Sequence, residues 1–314
     1  MKTVGIIGAR GYVGGELLEL LDPHTGFQVA YVSSRKLAGE SVAEHVDNYE
    51  GELTYEEVSP EDAADRQTDV VVLALPNGVS ERFVGPITQA HPDVVLLDVS
   101  ADHRFDDAWT YGIPERFRTR IRESNRIANP GCYATGMHLG LWPLTDFFDA
   151  RPHCFGISGY SGAGTSPSPK NDPDKLRDNV MPYKLTGHTH QREVGRHLGA
   201  PIFFTPSVAS WFRGIELVIS VELRDTYRVD EIRQNFEAKY HSEPLVEVID
   251  DVPLVRDNAG EHVVRIGGLS VDENNRRLAF AVTLDNLLKG AATQAVQNLN
   301  LACGYEELRG IRKA

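Results

Sequence analysis

Val4-Gly5-Ile6-Ile7-Gly8-Ala9-Arg10-Gly11-Tyr12-Val13-Gly14 is the stretch on which the fold turns. An apolar run, Val4 to Ile7, leads into glycines spaced three and three, and Glu16-Leu17-Leu18-Glu19-Leu20-Leu21 continues with a helical pattern. Strand, glycine turn and helix in that order are a variant of the dinucleotide fingerprint. Such a turn is tight, lets backbone approach a pyrophosphate, and aims helix N–H groups at it. Gly8, Arg10, Gly11, Tyr12, Val13 and Gly14 are therefore the expected pyrophosphate contacts, an ordinary strand-to-helix turn being the competing reading.

The next predicted strand, 27–32, ends in Ser33-Ser34-Arg35-Lys36. An NAD-preferring fold carries an acidic residue there for the ribose 2′-hydroxyl, whereas hydroxyls and two cations suit a 2′-phosphate. NADP(H) is the expected cofactor. Residues 69–75 are nearly all apolar, as a strand covered on both faces requires, and Pro76-Asn77-Gly78 closes them at a strand end expected near the cofactor. Residues 94–99 repeat the pattern and run into Ser100-Ala101-Asp102-His103-Arg104. Taken locally, Arg104 suits either an anionic substrate group or an ion pair with Asp102 or Asp106.

The chain has 314 residues, 41% of them hydrophobic, which is ample for two domains. A formal charge of −13 with scattered basic residues excludes a nucleic-acid surface. No run of about 20 apolar residues exists to span a bilayer, and Met1-Lys2-Thr3 leads straight into a strand, so a cytoplasmic protein is expected. The three cysteines, Cys132, Cys154 and Cys303, fit neither a disulfide framework nor a zinc knuckle and imply a reducing compartment.

Asn129-Pro130-Gly131-Cys132 follows the strand-like residues 126–128 and precedes a helix-compatible run, 134–142. A thiol near a helix N-terminus meets unpaired N–H groups that favour the thiolate, so Cys132 is the candidate nucleophile against the plainer reading of a buried structural cysteine. Beyond it, 154–160 reads as a strand. The Gly-, Ser- and Pro-rich residues 161–169 read as a linker or as a folded loop over a site. Gly187-His188-Thr189-His190 precedes a helical segment at 191–198. Spacing i, i+2 without a third ligand type argues against a metal, so either histidine is a candidate acid/base for Cys132. Residues 202–205, 216–224 and 277–284 read as strands and 229–240 as a helix, giving a mixed, largely antiparallel sheet; 290–303 returns to helix.

Taken together, these segments resemble the N-acetyl-gamma-glutamyl-phosphate reductase family of the semialdehyde dehydrogenase superfamily. The likeness rests on Ala128-Asn129-Pro130-Gly131-Cys132-Tyr133-Ala134-Thr135, on Ser158-Gly159-Tyr160-Ser161-Gly162-Ala163-Gly164 and on Gly187 to His190. It also rests on Asp285-Asn286-Leu287-Leu288-Lys289-Gly290-Ala291-Ala292 with Gln294 to Asn298. The resemblance implies an α/β fold: a Rossmann-type doubly wound parallel sheet with an inserted α+β catalytic and dimerisation domain. Its expected bounds are 1–131 for the NADP-binding domain, completed by a C-terminal helix 290–314, and 132–289 for the insert.

The same resemblance puts Gly162, Asn286, Lys289 and Gly290 at the cofactor and Arg104 on the substrate phosphate. It adds Asn129, Ser158, Tyr160 and Arg213 to the substrate site, and implies a small acyl-phosphate substrate and a homodimer or homotetramer. The implied chemistry is thiolate attack by Cys132, loss of phosphate and hydride transfer, with His190 or His188 moving the proton. One departure stands out. The family commonly shows Thr-Pro-His and then Pro-Met-x-Arg-Gly, where this chain has Thr205-Pro206-Ser207 and Trp211-Phe212-Arg213-Gly214-Ile215-Glu216. Aspartate-semialdehyde dehydrogenases carry a catalytic His where Ile215 stands, which favours the glutamyl side. A reductase of carrier-bound aminoadipyl phosphate, an aspartate-semialdehyde dehydrogenase and a non-enzymatic dinucleotide sensor are the alternatives.

Overall fold

In the computed structural model, which describes residues 1–311, the strand at the start of the chain is β1, Lys2–Ile7. It lies inside an all-parallel sheet with β2 (Phe27–Ser33), β3 (Tyr55–Glu56), β4 (Val70–Leu73), β5 (Val95–Asp98), β6 (Thr110–Tyr111) and β7 (Arg126–Ala128). The order is β3-β2-β1-β4-β5-β7-β6, so the chain reverses its direction of growth beside β1, the crevice where such sheets take ligands. Strands buried on both faces need two cores. Along β4, Val70 and Val72 join Leu17, Leu18 and Leu21 of α1 (Tyr12–Leu21) on one face. Val71 and Leu73 join Phe83, Val84 and Ile87 on the other. Helices α2 (Pro60–Asp65), α3 (Glu81–Ala90) and α4 (Pro114–Arg122) complete this part.

A second unit spans Cys132–Gly290. Helix α5, Cys132–Leu141, is buried along its whole length after the cysteine and packs on a sheet built from β8 (His153–Gly159), β9 (Val180–Pro182), β10 (Phe203–Ala209), β11 (Ile215–Glu222), β12 (Val246–Val248), β13 (Val264–Val271) and β14 (Arg277–Leu284). Helices α6 (Pro173–Leu176), α7 (Thr189–Leu198) and α8 (Val229–Tyr240) belong to the same unit. The order is β12-β13-β14-β11-β8-β10-β9; β8–β10 and β12–β13 are parallel and the other pairs antiparallel. The segment 161–187 is a folded excursion of short helical turns that also supplies β9. Asn171 pins it by donating to the carbonyls of Gly164 and Ser166, each at 2.8 Å.

After a single π-helical turn, Leu288–Ala292, the chain rejoins the first unit as α9, Thr293–Ala302, whose Val296 and Leu299 enter the core of Leu17 and Leu18. The helix expected over 290–314 is therefore shorter. Gly304, at φ +73°, lets Tyr305 N–H donate to the Asn300 carbonyl at 2.7 Å, and this left-handed cap stops the helix. Residues 312–314 of that expectation lie outside the described residues.

Within the first unit, buried Asn298 of α9 donates through Nδ2 to the Gly112 carbonyl at 2.9 Å and to Asn129 Oδ1 at 3.0 Å. Replacing it leaves two buried acceptors without that donor. Asn298→Ala should lower the unfolding free energy by about 2 kcal/mol in urea titrations.

Candidate active site

The glycine turn has the geometry that a nucleotide needs. Gly8 sits at φ +90°, and a Cβ there would lie 2.5 Å from the Ala74 carbonyl oxygen, so only glycine fits. Gly11 caps α1 with no side-chain hydrogen bond, and a Cβ on it would meet nothing within 4 Å. No side-chain cap covers the N-terminus of α1, the kind of helix start that suits an anion. Arg10, Tyr12, Val13 and Gly14 continue the same turn. At the end of β2, Ser33 and Ser34 are buried, and Ser34 Oγ accepts from Leu37 N–H at 3.2 Å. Arg35 and Lys36 point outward, and neither enters an ion pair among the described residues.

The exposed loop of Pro76 and Asn77 is held from the side. Asn77 Oδ1 accepts from Ala101 N–H at 2.9 Å, while Asp102 accepts from Gly78 N–H at 2.7 Å and from Ser80 Oγ at 2.7 Å. Burial pushes the Asp102 carboxyl up, but the donors from Ser80 and Gly78 outweigh it and leave it below its ordinary value. Arg104 is almost wholly buried. Its Nε donates to the Asn129 carbonyl and its Nη2 to the Val99 carbonyl, both at 2.8 Å. The Asn129 amide is itself engaged, donating to the Ala291 carbonyl at 3.1 Å while accepting from Asn298. Both side chains thus brace the strand end that delivers Pro130 and Gly131.

Cys132 opens the second unit as the first residue of α5. Gly290 lies against it, since a Cβ on that glycine would come within 2.9 Å of the cysteine Cβ. Helix α5 packs on α7, and the fully buried Tyr133, whose hydroxyl donates to the Ser207 carbonyl at 2.7 Å, has its ring 6.1 Å from that of His190. His188 is not inside α7 but is its N-cap. Its Nδ1 accepts the His190 backbone N–H at 3.1 Å, with the two rings 4.7 Å apart. Burial lowers the His188 imidazole to about 4, against the pull of Glu193 and with help from Lys170 and Lys184. At neutral pH it is an uncharged acceptor at Nδ1, which suits it to capping the helix.

Other expected residues serve the frame of this unit. Arg213 forks onto the fully buried Asp285, Nε to Oδ2 at 2.5 Å and Nη2 to Oδ1 at 3.0 Å. Asn286 accepts from Gly214 N–H at 2.7 Å and donates to Ser161 Oγ at 2.9 Å. Ser158 Oγ donates to the Gly159 carbonyl and lines the spot where a Cβ on Gly162 would collide. The Tyr160 ring packs edge-on to Phe212, and Lys289 is fully buried in the π-helical turn. Sequence reasoning passed over Tyr183. Burial, then the charge of Cys132, pushes its phenol well above the ordinary value, and its ring lies 5.8 Å from His188. Its position five residues before His188 was the one available signal.

A nucleotide cradle and a helix-heading cysteine define the class, a dinucleotide-linked oxidoreductase. Residues 3–124 match the family model described as "Semialdehyde dehydrogenase, NAD binding domain", and residues 132–286 match "Semialdehyde dehydrogenase, dimerisation domain". Over 311 residues the chain is 51% identical to N-acetyl-gamma-glutamyl-phosphate reductase of Xanthomonas euvesicatoria pathovar vesicatoria, covering 99% of this chain and 98% of that protein. The solved aspartate semialdehyde dehydrogenase II of Vibrio cholerae shares the fold at TM-score 0.80 and 22% identity, over 97% of this chain and 99% of that one. The Candida albicans aspartate semialdehyde dehydrogenase solved with NADP does so at 0.74 and 16%, over 97% and 99%. The chain belongs to the N-acetyl-gamma-glutamyl-phosphate reductase family of semialdehyde dehydrogenases.

The His188 environment carries a pH signature. With a folded value near 4 and an unfolded value near 6.5, the neutral imidazole contributes fully above pH 6.5. That contribution is lost as the pH falls through 6.5 towards 4, because the unfolded chain then binds the extra proton. Asparagine also caps helices. His188→Asn should therefore stay folded at pH 7 and lose less stability than wild type between pH 7 and pH 5, by about 1 kcal/mol after allowing for partial exposure, in urea titrations at the two pH values.

Proposed function

We propose that this chain reduces N-acetyl-L-glutamyl 5-phosphate to N-acetyl-L-glutamate 5-semialdehyde, a step of arginine biosynthesis, with NADPH as reductant and Cys132 as nucleophile. The observation that carries this reading is the cysteine at the first position of α5, in a chain half identical along its whole length to a reductase of that name. The Cys132 thiolate attacks the acyl carbon and a C–S bond forms as the C–O bond to phosphate breaks. Backbone N–H groups at the head of α5 stabilise the negative charge that gathers on the acyl oxygen. When bound, the reduced nicotinamide supplies the hydride. As the C–S bond then breaks, the sulfur keeps the electron pair and the semialdehyde departs. His190 protonates and deprotonates at this sulfur, while His188 fixes the end of its helix.

The residues that would hold the cofactor are the Gly8 to Gly14 turn for the pyrophosphate and Ser33, Ser34, Arg35 and Lys36 for a 2′-phosphate. The further cofactor residues proposed are Pro76 and Asn77 in the first unit and Gly162, Asn286, Lys289 and Gly290 in the second. Arg104 and Asn129 contribute by holding the strand end before Cys132, and Ser158, Tyr160 and Arg213 by shaping the substrate side. A homodimer fits the second sheet. The face turned away from its helices exposes Phe155, Phe203 and Val218 at 41%, 42% and 44%, which is the apolar surface a second copy would cover. Three free cysteines fit a reducing cytoplasm.

The assay is phosphate-dependent reduction of NADP+ by N-acetylglutamate semialdehyde, compared with aspartate semialdehyde; preference for the latter would reject the proposed substrate. Cys132→Ser should lose at least 10³-fold in turnover while binding NADPH within a few-fold of wild type, as followed by nucleotide fluorescence. Arg35→Ala should reduce the preference for NADPH over NADH by about ten-fold, the equivalent of one charge-assisted hydrogen bond. An unchanged ratio of the two kcat/KM values would leave Arg35 as a solvated residue.

A further inference from the structure

A substrate with an anionic end beside the reacting carbon needs a cation near Cys132, and the arginines expected for that duty are engaged. Arg213 is forked onto Asp285, and Arg104 is bonded to two backbone carbonyls. Lys170 is different. It is half-buried, enters no ion pair among the described residues, and holds its ammonium 4.9 Å from the centre of the Tyr183 ring. The turn carrying it is fixed. Asn171 Oδ1 accepts from Ser168 N–H at 2.7 Å, and Asn171 Nδ2 ties the turn to the Gly164 and Ser166 carbonyls. Ring contacts then lead from Tyr183 to His188, from His188 to His190, and from His190 to Tyr133, the neighbour of Cys132. The charge of Lys170 reaches His188 and that of Cys132 reaches Tyr183, so ammonium and thiol share one electrostatic neighbourhood. The Tyr183 hydroxyl has no hydrogen-bond partner among the described residues and, being kept protonated, can only donate to an acceptor.

We propose that Lys170, seated on the Tyr183 ring, is the substrate-binding cation of the Cys132 site and receives an anionic group of the substrate, with the Tyr183 hydroxyl donating beside it. Lys184 also lies near His188 but is exposed and solvated, which makes it the control. The inference rests on the reductase reading for the identity of the substrate, not for the presence of the anion subsite. Both the carboxylate of N-acetylglutamate semialdehyde and inorganic phosphate present oxygen anions, and the test separates them.

The deciding measurement is the rate of Cys132 alkylation by iodoacetate relative to iodoacetamide, with Cys132→Ser as the blank for the other thiols. An anion subsite raises this ratio. Lys170→Met should lower it about five-fold, Lys170→Arg should keep at least half of it, and Lys184→Met should change it less than two-fold. Steady-state kinetics then identify the anion. A ten-fold rise in the KM of the semialdehyde with an unmoved KM for phosphate assigns the carboxylate, and the converse assigns phosphate. An unchanged alkylation ratio, or a lowered ratio with both KM values unmoved, overturns the proposal. If wild type turns over neither semialdehyde, the reductase reading falls, and the alkylation ratio still decides the subsite.

Discussion

Much of this structure hangs on the amide of Asn129. Its backbone carbonyl takes the Arg104 guanidinium, its Nδ2 holds the Ala291 carbonyl and its Oδ1 takes Asn298. Each of these groups is buried, so each would be costly to leave without a partner, and together they lock the end of β7 to Ala291 and to α9. Three residues later the chain reaches the cysteine. The strand end before it is thus held by polar bonds within the parallel-sheet unit.

In the second unit the same economy applies to imidazoles. His188 is the cap of α7, and burial suits it for this by keeping its ring neutral. His190, two residues on, is then carried in the first turn of a helix rather than in a loose segment. Two residues that look equivalent on paper are separated by which atom accepts a backbone N–H.

The doubly wound sheet was legible because strands buried on both faces read as nearly continuous apolar runs, as 69–75 and 94–99 do. The helix at 229–240 and the strand at 277–284 coincide with α8 and β14, where local pattern and tertiary burial agree. The strand Val264–Val271 was not legible, since Gly267 and Gly268 break its alternation and its register shifts there. Helix α4 escaped notice because its residues are mostly charged, and the last helix was overextended because a left-handed glycine cap leaves the periodicity upstream intact. At the candidate site, the glycine turn and the helix heading at Cys132 follow from adjacent residues and could be read. The duties of Arg104, Asn129, Arg213 and Asn286 are set by partners from 5 to 169 residues away, and no local pattern encodes those.

The contact between Cys132 and Gly290 has a consequence for how the two units came to share one chain. These are the first and last residues of the second unit, and they touch. To the parallel-sheet unit, an insert of this length therefore imposes little more than a tight hairpin would, because loop-closure entropy depends on the span to be bridged and the span is already closed. A cassette with abutting ends can be exchanged without reshaping its host. A family organised this way can change its substrate by swapping or diversifying the insert while the nucleotide-holding frame stays as it is.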